Sequence, residues 1–278
     1  MAVAPARPRL QLTGFNNLTK TLSFNSYEVR YAATPAQQNR YRAYIDETYN
    51  AERLTGILCM VARIIGGNIL NIARQDYEPQ GASVALLISE GASAADFATQ
   101  WPGSPPNALL GHLDKSHITV HTYPESHPDH GINTCRADVD VSTCGRISPL
   151  HALNDLMAIF KPDVVSIDYR VRGFTRDVAG NKHFIDHPIR SIQDFLSTEM
   201  GEQYQMVDVN VSQQQFFHTR MLCKDLDPRH NRFSVDGEEG TSLPEPMAIA
   251  RRLRQEMTEI FSGEAPPEGS WSGNTQTQ

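Results

Sequence analysis

The stretch Leu113–Glu125, Leu-Asp-Lys-Ser-His-Ile-Thr-Val-His-Thr-Tyr-Pro-Glu, constrains this chain more than any other. A serine flanked by Lys115 and His117 opens a short β-branched run, so His117–Tyr123 reads as a strand. A second histidine, His121, lies five residues beyond the serine. On a strand rising about 3.3 Å per residue, His117 and His121 stand ~13 Å apart. The same spacing on a helix would bring two metal ligands together, as in HExxH. Here it does not, and no zinc site is expected. His127, Asp129 and His130 read as a solvated turn.

Ser142-Thr143-Cys144-Gly145 closes a second strand expected over Ala137–Thr143. A serine, a histidine and a cysteine at strand ends support nucleophilic chemistry, but their spacings fit no usual hydrolase signature.

The remaining order of elements points to an α+β fold. Leu22–Tyr31 reads as a strand, and Thr34-Pro35 as a helix start with a capping oxygen and a proline at the first position. Leu54, Ile57, Leu58, Val61, Ile64 and Ile65 form one apolar helical face, ended by Gly66-Gly67. Asn68–Arg74 and Val84–Glu90 have strand length, and Pro102, Pro105 and Pro106 mark a loop over 91–110. Ser148-Pro149 starts a helix carrying Leu153, Leu156, Met157 and Phe160, and Val164–Val171 is a further strand. These elements predict a sandwich of a largely antiparallel sheet with helices on one face.

After Arg176 the pattern changes. Pro188–Met200 is expected to be helical, Gln205–Val211 a strand and Leu243–Phe261 an amphipathic helix. The expected organisation is a disordered extension over 1–9, a catalytic core over 10–176 and an α/β extension over 177–262 packed on it. A disordered tail is expected over 263–278.

With 278 residues, 40% of them hydrophobic, the chain can bury a substantial core. The net charge of −7 argues against nucleic acid as a partner and suits a cationic small molecule. Cys59, Cys135, Cys144 and Cys223 include no CxxC pair, the usage expected of reduced thiols. No run approaches eighteen apolar residues and the N-terminus lacks a hydrophobic signal core, so a cytoplasmic protein with no membrane partner is expected.

In the self-processing S-adenosylmethionine decarboxylases, which Ser116–Glu125 and Thr143-Cys144-Gly145 resemble, such a serine cuts its own chain. Its hydroxyl attacks the preceding carbonyl of Lys115 and forms an ester, which needs a strained turn and donors for the oxyanion. A base then removes the α-proton, elimination gives dehydroalanine, and hydrolysis leaves a pyruvoyl group and ammonia. A histidine suits these proton transfers, and His117 and His121 are the local candidates. A pyruvoyl carbonyl forms a Schiff base with an α-amino acid and accepts the electron pair left by departing carbon dioxide. A cysteine thiol can return the proton.

Ser116-His117-Ile118-Thr119-Val120-His121-Thr122-Tyr123-Pro124-Glu125 followed by Thr143-Cys144-Gly145 resembles the self-processing S-adenosylmethionine decarboxylases. Gly14–Lys20, Asn71–Gly81 and Asp168–Arg176 are similar to the longer bacterial class of that family. The resemblance spans roughly residues 10–235. It departs from the compact class by an insertion before the serine, by Lys115 in place of Glu and by longer termini.

The resemblance implies cleavage between Lys115 and Ser116, with Ser116 becoming the pyruvoyl group that holds substrate. It implies that His121 accepts protons during processing and that Cys144 donates a proton in catalysis. It implies decarboxylation of S-adenosylmethionine for spermidine biosynthesis, with the α and β fragments held together and assembled as four pairs. The class is associated with magnesium, for which the sequence offers no acidic cluster with ligand spacing. The nearest alternative is a pyruvoyl decarboxylase on the same scaffold acting on arginine or ornithine. A second is an unprocessed, non-catalytic homologue.

Overall fold

The computed structural model describes residues 12–90, 116–125, 131–145, 147–226, 231–233 and 246–264. The expected extension over 1–9, the loop over 91–110, Lys115, the turn at His127–His130 and the tail beyond Glu264 lie outside those residues.

Eight strands form one antiparallel sheet. They are β2 (Thr19–Tyr31), β3 (Gly67–Asp76), β4 (Ala82–Glu90), β5 (Ser116–Pro124), β6 (Ile132–Cys144), β7 (Val164–Arg172), β10 (Tyr204–Asp208) and β11 (Phe216–Cys223). Their order is β10-β11-β7-β2-β6-β5-β4-β3. A small second sheet joins β1 (Leu12–Asn16), β8 (Thr175–Asp177) and β9 (Lys182–His183).

Strand periodicity decides what each face meets. Along β2, buried Lys20, Leu22, Phe24 and Ser26 alternate with half-buried Thr19, Thr21, Ser23 and Asn25. Along β6, Cys135, Ala137, Val139 and Val141 are buried while Arg136, Asp138, Asp140 and Ser142 are not. The apolar set packs on α1 (Pro35–Thr48), α2 (Ala51–Ile65) and α3 (Leu153–Phe160) through Tyr41, Ile45, Leu54, Leu58, Leu153 and Leu156.

Both first helices begin as their residues dictate. The Thr34 hydroxyl accepts from the Gln37 N–H, and the Gln37 side chain accepts from the Thr34 N–H, with Pro35 next. Asn50 caps α2, and Gly66 ends it in the left-handed region at φ +83°.

The other face of the sheet is largely polar. At one end it is covered by α5 (Pro246–Ser262), whose Ile249, Leu253 and Met257 bury Val29, Tyr31, Ile132, Val164 and Leu222. Helices α1–α3 thus follow the one-face expectation, and α5 adds cover on the second face. That cover lies at the end of the sheet remote from Ser116.

The stretch expected to be one helix over Pro188–Met200 is instead broken. Ile192–Phe195 makes a 3-10 turn, Leu196 is extended, and the short α4 (Thr198–Gln203) follows. Two serines cause this. Ser191 accepts from the Gln193 N–H at 2.9 Å and Ser197 from the Met200 N–H at 3.4 Å, each starting its own turn. The strand expected over Gln205–Val211 is β10, shorter by three residues at its end. Its partner β11 continues the main sheet from β7, so the C-terminal extension supplies two of the eight strands.

Candidate active site

Ser116 is the first residue of β5 and pairs with Ile88 of β4. It is in phase with Ile118, Val120 and Thr122, on the helix-facing side, and is 6% exposed. Cys144 is the last residue of β6, opposite Thr19 of β2, and is half-buried. The two strands end side by side, and the Cys144 N–H donates to the Ser116 Oγ at 3.1 Å. This bond joins the nucleophile and the proton donor expected from the sequence.

The turn after Cys144 is tied at both amide groups. Gly145 adopts φ +72°, a conformation that favours glycine, and its N–H donates to the Leu18 carbonyl at 3.2 Å. Its carbonyl accepts from the Lys20 ammonium at 3.1 Å. Thr143, fully buried between them, donates its hydroxyl to the Ile147 carbonyl at 3.1 Å.

Lys20 also pairs with Asp186 at 2.6 Å. Asp186 in turn meets the His187 Nδ1 at 2.7 Å, and the His187 Nε2 lies 3.2 Å from the Tyr169 hydroxyl. Burial pushes the Asp186 carboxyl up, but the hydrogen bonds from His187 and Lys20 outweigh it and hold the group below the usual range.

His121 is not beside Ser116. Five residues along a strand is ~16 Å, and the odd offset puts His121 on the opposite, polar face with His117 and Thr119. There it lies between Ser83 of β4 and Asp138 of β6. Burial raises the Asp138 carboxyl and Asp140 adds to this, while Arg136 and His121 act to lower it. Asp138 pairs with Arg136 at 3.1 Å through one oxygen, and its Oδ1 is buried with no hydrogen-bond partner among the described residues. His117 is on the same face, opposite Leu87 and Ser142.

Sequence reasoning gave no role to Lys20, Asp186 or His187. Lys20 carried a signal nonetheless. It is spaced in twos with Leu22 and Phe24, so a lysine occupies a core position of its strand. Asp186 and His187 lie in irregular chain, where periodicity gives no guide.

Among the described residues, no three of His, Cys, Asp or Glu gather as ligands for a metal. None of their helices is long and apolar enough to cross a membrane.

The fold is of the α+β class, with a strand-opening serine held by the residue before a glycine turn. Residues 41–173 match the family model for S-adenosylmethionine decarboxylase. The chain is 61% identical to the S-adenosylmethionine decarboxylase proenzyme of Alkalilimnicola ehrlichii, over 92% of this chain and 94% of that protein. It is 59% identical to the proenzyme of the same name from Halorhodospira halophila, over 93% and 96% of the two chains. This chain belongs to the S-adenosylmethionine decarboxylase family. Among solved structures, the adenosylmethionine decarboxylase of Aquifex aeolicus matches 57% of this chain and 91% of its own at 19% identity, with a TM-score of 0.32. That likeness is too distant to carry an argument about this site.

Proposed function

We propose that this chain is a proenzyme that cuts itself between Lys115 and Ser116 and then decarboxylates S-adenosylmethionine for spermidine synthesis. The observation that carries this reading is the Cys144 N–H on the Ser116 hydroxyl. It puts a fixed donor on the oxygen that must first attack the Lys115 carbonyl and then leave as part of the new carboxylate. Negative charge grows on that oxygen as it leaves, and a backbone N–H already in place stabilises it without reorganisation.

The residues fit a pyruvoyl group at position 116. Ser116 opens a strand, is nearly buried, and has a hydrogen-bond donor aimed at the side-chain oxygen that leaves with the Lys115 carboxylate when the group forms. That group would supply an electron sink for the pair left on the α-carbon of a bound amino acid when carbon dioxide departs. Cys144, half-buried at the same strand end, holds the proton that its thiol returns to the substrate α-carbon.

His121 accepts protons during processing in this reading, but not at the Ser116 of its own chain, which is ~16 Å away along the strand. It lies on the polar side of the sheet, so contact with a Ser116 would have to come from another copy in the assembled units. The reading includes further assembly of processed units, four pairs by resemblance, and His121 gives that assembly a task.

The two fragments stay together because the sheet interleaves them. Strand β2 of the fragment 1–115 lies between β6 and β7 of the fragment 116–278, paired from Thr19 to Tyr31 with β6 and from Thr19 to Tyr27 with β7. The formal charge of −7 also favours the approach of a cationic sulfonium substrate.

Purified protein given carboxyl-labelled S-adenosylmethionine, arginine or ornithine should release labelled carbon dioxide only from the first. Intact mass should show two chains, the larger beginning at a blocked residue 116. Release from arginine or ornithine instead would replace the substrate, and a chain that stays whole would remove the mechanism.

A further inference from the structure

We propose that Lys20 is a positioning residue for the Ser116–Cys144 site, and that Asp186, from the segment beyond the core, is there to hold it. The inference rests on the self-processing reading above. Lys20 is 1% exposed on the helix-facing side of β2, in phase with Leu22 and Phe24. A buried ammonium is costly unless paired, and an apolar pair of similar volume generally packs as well or better. Stability alone therefore gives no reason for a lysine at this place.

The lysine's second contact supplies the reason. One ammonium hydrogen goes to Asp186 at 2.6 Å and another to the Gly145 carbonyl at 3.1 Å. Gly145 immediately follows Cys144, and the Leu18 carbonyl already takes its N–H. With both amide groups fixed, the turn has one orientation. That orientation sets the peptide N–H of Cys144 against the Ser116 hydroxyl and fixes where the Cys144 thiol stands.

Asp186 is itself restrained. His187 binds one carboxylate oxygen at 2.7 Å while Lys20 takes the other, and the His187 ring is tilted against Tyr169 with centroids 5.8 Å apart. The path from Tyr169 to Gly145 is thus a continuous polar chain of four side chains: Tyr169, His187, Asp186 and Lys20. Lys20 belongs to the fragment 1–115 and Asp186 to the fragment 116–278, so the clamp also bridges the products of the cut. This gives the C-terminal extension a role at the site besides adding strands to the sheet.

The test uses the full chain and follows loss of uncut protein by intact mass, alongside thermal unfolding. Lys20→Met should slow cleavage roughly 10–100-fold, the scale of a misplacement near 1 Å at reacting atoms. The double variant Lys20→Met/Asp186→Leu should unfold at least as high as wild type yet cut as slowly as Lys20→Met. A purely structural ion pair predicts the opposite, because removing both charges would restore cleavage together with stability. Wild-type cleavage in either variant therefore overturns the proposal. So does a double variant that fails to fold, since it would show that the pair is needed for packing. Wild-type protein that never cuts at Ser116 would instead remove the self-processing reading, and the clamp with it.

Discussion

The backbone N–H of Cys144 lies 3.1 Å from the hydroxyl oxygen of Ser116, across twenty-eight residues of sequence. The contact gives Cys144 two separable parts. In the proposed mechanism its amide serves the serine oxygen during the cut, and its thiol serves the substrate afterwards. Most substitutions at this position remove the thiol and leave the amide, so the two stages are open to independent test.

Ser116→Ala has no oxygen with which to attack Lys115. It should remain a single chain of about the 31.0 kDa of the full sequence, where wild type yields two. A denaturing gel distinguishes them, and an alanine variant that cuts normally would rule out Ser116 as the attacking group.

Cys144→Ala keeps the N–H and loses the thiol. Cleavage should continue, at a modestly altered rate, while turnover of S-adenosylmethionine falls ~10²–10⁴-fold, the usual loss for a removed general acid. Mass spectrometry of the product chain checks the first half and a carbon dioxide assay the second. Undiminished turnover in fully cut protein would take the proton-donor role from this cysteine.

His121→Ala should accumulate uncut chain or the Lys115–Ser116 ester, which hydroxylamine opens far faster than an amide. Because His121 faces away from its own Ser116, co-expression of His121→Ala with Ser116→Ala should restore cutting in the His121→Ala chains alone. Their intact serine would meet the partner's intact histidine. If mixing rescues nothing while His117→Ala stalls by itself, the base is His117, one residue from the cut.

The sequence made most of the sheet legible because its strands have a sharp boundary between faces. Leu22, Phe24, Val139 and Val141 are buried and their neighbours are not, so a period of two was readable without coordinates. The helix starting at Thr34-Pro35 and the end at Gly66 were equally open, since both depend on local chemistry. The site was half legible. Ser116 and Cys144 stood out by motif, but their contact depends on the long-range register of β5 with β6. Lys20, Asp186 and His187 converge only once β2 and the irregular segment after β9 are in place. The break at Leu196 was hidden for a local reason: Ser191 and Ser197 cap separate turns within what reads as one amphipathic run.

Gly173 offers a test of how the strand ends near the site are held. It has φ +85°, and a Cβ there would come within 2.3 Å of the Asn17 carbonyl oxygen. Asn17 exchanges hydrogen bonds with Phe174, joining the turn before β2 to the turn after β7. Gly173→Ala should therefore lower stability by about 1–3 kcal/mol from backbone strain alone. It should also disturb the Thr19–Cys144 pairing that begins two residues after Asn17. Chemical denaturation measures the first effect and cleavage rate the second; a variant as stable as wild type would show that this turn has room to move.

Asp138 yields a prediction with a sign set by its surroundings. Burial raises its carboxyl above the ordinary value and Asp140 adds repulsion, while Arg136 and His121 pull the other way without prevailing. A carboxyl raised by folding binds its proton more tightly in the native state than in the unfolded chain. Below the unfolded pKa, about 3.9 for aspartate, both states hold the proton and the group has no effect. As pH rises through that value the unfolded chain ionises first, so folding loses stability, and the loss is complete above the folded pKa. The buried Oδ1, which has no partner among the described residues, works in the same direction. Asp138→Asn removes the charge at nearly constant shape and gives up one partly exposed bridge to Arg136, itself a small term. The variant should melt higher than wild type at pH 7. The gain should shrink as the pH is lowered and vanish in the ordinary carboxylate range. A melting difference that stays constant from pH 7 to pH 4, or has the opposite sign at pH 7, would mean that Arg136 and His121 prevail at Asp138.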